Sequence, residues 1–162
     1  MEFMQPTFDW LGASALGVAS REAAWIFVTA ETAHFFGLSL LFGSLLVIDL
    51  RVVGFARFIN MQAAMKFIPL AILGFAINLM SGIVFIASNP ARYGPNIAFQ
   101  WKMGLVIIAG INALWFWFGE HKDLVKLADG EDADFRAKVI GGLSLIIWVV
   151  VIILGRYMPF VE

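Results

Sequence analysis

Apolar residues run almost unbroken through four long stretches of this 162-residue chain, at 23–48, 67–87, 97–119 and 139–154. The charged side chains crowd into the segments between them. A helix that crosses a bilayer needs about 20 apolar residues at a rise of about 1.5 Å each, and every stretch is close to that. In hydrocarbon each backbone N–H and C=O must find its partner within the protein, so these stretches predict helices. The apolar-out, polar-in alternation of a membrane barrel is absent. The expected fold is all-α, a four-helix transmembrane bundle in a single membrane domain over 1–162, with spans at about 22–50, 66–88, 97–119 and 137–158.

The segment before the first span follows a different pattern. Pro6, Phe8, Trp10, Leu11, Leu16 and Val18 make an uneven apolar face, with Gly12, Ala13 and Ser14 between them. No early Lys/Arg cluster or small-residue cleavage site marks a removable signal peptide. An amphipathic helix over 6–20, lying in the interface with Trp10 at headgroup level, is expected.

Composition narrows the function classes. The chain is 61% hydrophobic and 14% charged, with a mean hydropathy of +0.87. A soluble domain is about half apolar and a quarter charged, so a soluble globular protein and a disordered chain are both excluded. A net charge of -1 provides no basic field for phosphates, which excludes nucleic acid as a partner. The absence of cysteine removes disulfides, thiolate metal sites and covalently attached c-type haem. Two histidines leave little room for a multi-His site, and no catalytic triad or phosphate loop is visible.

Charge placement predicts topology. Arg51, Arg57, Lys66, Lys122, Lys126, Arg136 and Lys138 fall on one side, and Arg21, Arg92, Lys102 and Arg156 fall on the other. The positive-inside rule then places the seven in the cytoplasm and both termini in the periplasm, as a multi-pass protein of a bacterial inner membrane. The segment from Glu120 to Lys138 holds 10 of the 23 charged side chains, six of them acidic. Its spacing does not match a calcium loop. It reads as a solvated turn in which Asp132 caps a short helix.

Ionisable groups inside a span are costly and are functional candidates by default. In the first span Glu31 and His34 are three residues apart and share a face. With the apolar core starting near Ala24, Glu31 lies about 10 Å deep and His34 about 15 Å, near the midplane. Gly37 follows on the adjoining flank, where a missing side chain lets a flat ligand or a neighbouring helix come close. Asn78 and Asn112 read as hydrogen-bonding glue between helices. Lys102 lies one turn into the third span, and Asp49 and Arg51 close the first.

A neutral imidazole in a helical bundle is the usual axial ligand of b-type haem. His121 lies about 35 Å along its helix, too far from His34 for both to ligate one haem. Met80, about 12 Å deep, nearly matches His34, whereas Met103 is shallower. The expected haem b site is therefore His34 with Met80, His34 alone, or His34 with Lys102 nearby. Arg21, Arg92, Lys102 and Arg156 could pair with propionates. Electron transfer to quinone or a periplasmic redox partner would follow. Two other readings stay open. In one, a cofactor-free subunit associates with other membrane subunits or with itself, and Glu31 and His34 only fix packing. In the other, copper is the metal at His34, with Met80 and Met103 along its path. Membrane lipid is a partner in every case.

The run Trp10-Leu-Gly-Ala-Ser-Ala-Leu-Gly-Val-Ala-Ser-Arg-Glu22, then Glu31-Thr-Ala-His34 with Gly37, then Asp49-Leu-Arg51-Val-Val-Gly54 resembles an uncharacterised family of four-helix bacterial integral membrane proteins. Tyr93-x-x-Asn96-x-x-Phe99-x-x-Lys102 and Asn112-Ala are similar to its second signature. More distantly, the His of the first span with the Lys of the third resembles the superfamily of the copper-resistance D protein and the haem-containing protoporphyrinogen oxidase. That resemblance implies a haem near His34 and Lys102.

Overall fold

The computed structural model describes residues 5–161. No strand occurs among them. Two short helices, α1 (Gln5–Ala13) and α2 (Ala15–Glu22), precede α3 (Ala24–Val53), a continuous helix of 30 residues. Next come α4 (Met61–Met65), α5 (Ile68–Ser88), α6 (Pro90–Tyr93) and α7 (Ile97–Trp115). A π-helical turn, Phe116–Glu120, leads into α8 (His121–Leu124), and α9 (Phe135–Tyr157) completes the set before a 3₁₀ turn, Met158–Phe160. Four helical stretches are long and apolar enough to cross a membrane: Ala24–Val53, Met61–Ser88, Ile97–Leu124 and Phe135–Phe160. The chain is a multi-pass membrane protein built as a four-helix bundle, with both ends of the chain on one side (the terminus side) and the two charged connections on the other (the loop side).

Helix ends are set by local chemistry. Asn60, Asn96 and Asp134 each accept a hydrogen bond from a backbone N–H in the first turn of α4, α7 and α9. Pro69 and Pro90 sit in first turns, where no N–H is needed. Gly54 ends α3 at φ 94°, a left-handed conformation that glycine adopts without a Cβ clash. The fourth span is capped by Asp134, and the short helix expected to start at Asp132 does not form. Asp132 instead binds the Arg57 guanidinium at 2.8 Å and the Lys138 ammonium at 2.5 Å.

The expected single interfacial helix over 6–20 is two helices. Ser14 breaks it, and its hydroxyl accepts from the Gly17 N–H to start α2. Both short helices lie against α5, with Phe8 buried and Trp10 exposed. Arg21 ties them down by donating to the carbonyls of Ala87 and Gly12.

Among the spanning helices α5 packs along α3, α3 along α9, and α9 along α7. Neither α3 nor α5 is close-packed, backbone to backbone, against α7. The tightest crossing is at Gly37 and Gly74. A Cβ on Gly74 would lie 2.6 Å from the Gly37 carbonyl oxygen, and one on Gly37 would lie 2.8 Å from the Asn78 amide nitrogen. Lipid tails are as apolar as leucine, so helices associate in a membrane through such close van der Waals contact. Asn112 donates across to the Ile140 carbonyl, the interhelical role expected of it. Asn78 differs, donating to Gly74 within its own helix.

The loop side is closed by a buried apolar cluster of Ile48, Val52, Met61, Met65, Leu124, Ala133 and Ala137. Arg51, 0% exposed, donates from Nε to the Ile59 carbonyl at 2.6 Å and from Nη2 to the Glu131 carbonyl at 2.9 Å. It does not merely end the first span. One guanidinium holds both connections, and Asn60 with Asp129 and Gln62 with Val125 reinforce the contact.

Two outcomes follow. Gly74→Leu should destabilise the folded protein by about 1–3 kcal/mol through overpacking, read from denaturant titration in mixed micelles. Gly82→Ala, surrounded by open space, should be near neutral in the same assay. The second concerns Asp132. The hydrogen bond from Lys138, aided by Arg57 and the Ala133 backbone, holds its carboxyl below the ordinary 3.8. A carboxyl that ionises more readily in the folded chain adds stability above that ordinary value, and the contribution fades as pH falls below it. Hydrogen exchange of the 129–134 backbone should accelerate, relative to its intrinsic rate, below about pH 4. Asp132→Asn should show the faster exchange at every pH.

Candidate functional site

The terminus-side half of the bundle carries the polar groups that the packing does not consume. His34 projects from α3 towards α5, where its Nδ1 lies 2.8 Å from the Ser81 hydroxyl. The Gly37–Gly74 crossing, one turn further along, brings the two helices close enough for this contact. The Phe85 ring, tilted by 49° with its centroid 5.1 Å away, covers one side of the imidazole.

The Ser81 hydroxyl decides which nitrogen carries the proton. Its oxygen lies 2.7 Å from the Ile77 carbonyl and 3.2 Å from that of Asn78. A hydroxyl has one proton, and carbonyls can only accept. Ser81 therefore donates back to its own helix and accepts from His34 Nδ1–H. The imidazole is left as the Nδ1–H tautomer, with a free lone pair on Nε2. No described residue hydrogen-bonds that Nε2.

The residues expected around His34 are distributed as follows. Lys102 of α7 stands within electrostatic reach of the ring. Its Nζ runs beside α9, where a Cβ on Gly155 would lie 3.5 Å away. Among the described residues it makes neither a hydrogen bond nor an ion pair. Glu31 is exposed and does not hydrogen-bond His34. It neighbours Tyr93 of α6, whose phenol is pushed up by burial, with Arg92 opposing the shift and Glu31 adding to it. Gly37 is filled by α5, so its open flank serves the helix crossing and not a flat ligand. Met80 is 66% exposed. It precedes Ser81 by one residue, about 100° round the helix, and that rotation turns it to the outer surface. Met103 and His34 are not brought into contact by any described bond. Of the four cations considered for propionates, Arg21 is consumed by its two carbonyls, while Arg92 and Arg156 remain exposed.

His121 lies on the loop side, stacked on Trp117 at 4.5 Å and far from this site. Ser81 escaped the sequence reading, although its spacing after Asn78 places both polar residues on the α5 face turned to α3. A second buried polar position escaped too. Asp49 of α3 is 4% exposed, with Ser144 of α9 also buried and Asp49 Oδ2 left without a hydrogen-bond partner. Gly141, one turn before Ser144, lets α9 approach the Asp49 carbonyl.

The tautomer can be checked directly, because the chain has only two histidines. In ¹⁵N-histidine-labelled protein, His34 should give a protonated Nδ1 and an unprotonated Nε2. Ser81→Ala should abolish that preference, whereas an unchanged spectrum would show that Ser81 does not set it.

Comparison of the chain with protein-family models, curated proteins and solved structures returned no match.

Proposed function

We propose that this membrane protein binds one b-type haem in the terminus-side half of the bundle and works in electron transfer. The observation that supports this reading is the His34–Ser81 contact. A histidine that ligates a metal through one nitrogen characteristically donates its other N–H to an oxygen, which fixes the ring and raises its basicity. His34 has that arrangement, with Nε2 left free. Haem would supply a reversible one-electron couple at that nitrogen. Lys102 supplies positive charge on the far side of the site, suited to a propionate, and Arg92 and Arg156 can serve at the surface. Ser81 holds the imidazole in one orientation, and Phe85 excludes water from one of its faces.

His34 stands alone as the protein ligand in this proposal, since Met80 faces outward. The exposed terminus-side rim, with Trp10, Trp25 and Trp101, is where a quinone or a periplasmic redox protein would meet the site. The seven basic residues of the loop side favour a cytoplasmic loop side and periplasmic termini in a bacterial inner membrane. The distant likeness to the copper-resistance D and protoporphyrinogen oxidase superfamily is consistent with the same placement of haem.

Absorption spectroscopy of protein purified in mild detergent tests the proposal. A Soret band is expected, reduced at least tenfold in His34→Ala and unchanged in His121→Ala. Protein that stays colourless after expression with excess haem would overturn it.

A further inference from the structure

We infer that the connection 54–60 is itself a membrane-seated element, with Phe55 and Phe58 inserted below the phosphates of the loop-side leaflet and Arg57 binding them. This surface is separate from the His34 site and does not depend on haem.

Phe55 is 82% exposed and Phe58 is 88% exposed, among the most exposed large apolar side chains of the described chain. They do not sit on a loose loop. Gly54 turns the backbone at φ 94°, and its N–H bonds to Arg51 and Leu50. The Phe55 and Ala56 amides also bond the Leu50 carbonyl, and Arg51 holds the Ile59 carbonyl from inside. Ala56, between the two rings, is buried. A turn held at both ends thus presents two phenyl rings outward, three residues apart, with Arg57 between them.

In water this arrangement would expose apolar area for no return. At a bilayer surface it is favourable, because phenyl rings leave water while Arg57, whose Nε and Nη2 hold the Gly54 carbonyl and Asp132, keeps Nη1 for a phosphate. The start of α9 repeats the pairing: Phe135 is exposed next to the exposed Arg136. The nearby acid is neutralised in advance. Asp132 is held by both Arg57 and Lys138, which lowers its repulsion towards a phosphate layer. Apolar rings paired with cations fit a lipid surface better than a protein partner, whose contact would have to cover two bare rings at a helix end that lies beside the bilayer.

The chain contains no cysteine, so a single label can be placed without altering other positions. Phe58→Cys and Phe55→Cys, each carrying a nitroxide, would be reconstituted in nanodiscs of phosphatidylcholine and phosphatidylglycerol. Ala128→Cys, in the exposed charged connection, is the aqueous reference. Collision with molecular oxygen should exceed collision with a water-soluble nickel chelate at 55 and 58, and the order should reverse at 128. Chelate access at 58 equal to that at 128 would place the connection in water and overturn the inference. Exclusion of both reagents at 55 and 58 would also overturn it, by showing that protein covers the rings.

Discussion

The close approach of α3 and α5 at Gly37 and Gly74 is the contact on which the terminus-side half of this bundle rests. In lipid nothing squeezes two helices together, because the surroundings are as apolar as the side chains. Association has to come from atoms that touch, and two facing glycines allow backbones to touch. Once that distance is fixed, the rest of the face follows by helical repeat. Asn78 falls one turn after Gly74, Ser81 three residues further on, and Phe85 one turn beyond. On α3 the residue one turn before Gly37 is His34. A separation larger by the width of one methyl group would pull the Ser81 hydroxyl out of hydrogen-bonding distance of the imidazole.

The two ends of the bundle solve opposite problems. The loop side buries an apolar cluster and ties its connections with Arg51, a guanidinium removed from solvent. A buried cation is costly unless its donors are used. Two backbone carbonyls from different connections accept from Nε and Nη2 of its planar fork, though Nη1 stays without a partner. The cost is met by fixing two long segments with one side chain. The terminus side is built the other way. There α3 and α5 stand apart from α7, and His34 Nε2 and the Lys102 ammonium have no described partner. One end is closed for stability, and the other keeps polar groups in reserve.

Much of this was legible in the sequence. Hydrophobic run length gave the four spans, because run length depends only on position along an axis. Azimuth was harder. Met80 adjoins Ser81, the partner of His34, yet faces outward, since one residue of rotation separates the two. Ser81 was passed over because a lone serine in an apolar helix is unremarkable until the partner face is known. Asp132 and Asp134 are two residues apart and chemically alike. Asp132 starts no helix because it is taken up by Arg57, which arrives from the first connection, and by Lys138 of α9. The break at Ser14 was hidden because the apolar face of the first segment continues on both sides of it.

The donor set bears on which group His34 could hold. Among the described residues no three His, Asp or Glu side chains gather into a metal-holding group. A bare ion needs several protein ligands, and selectivity for copper would further require soft donors in sequence. With Met80 turned outward, a copper path through His34 loses its nearest candidate sulfur. A porphyrin changes that requirement, because the macrocycle supplies four nitrogens and asks the protein for one axial ligand, correctly oriented, and cations for its carboxylates. A single imidazole held by Ser81, with a lone pair left free and a lysine within electrostatic reach, is the minimum that such a group demands. The proposed haem thus rests on one oriented imidazole, to which Met80, turned outward, adds nothing.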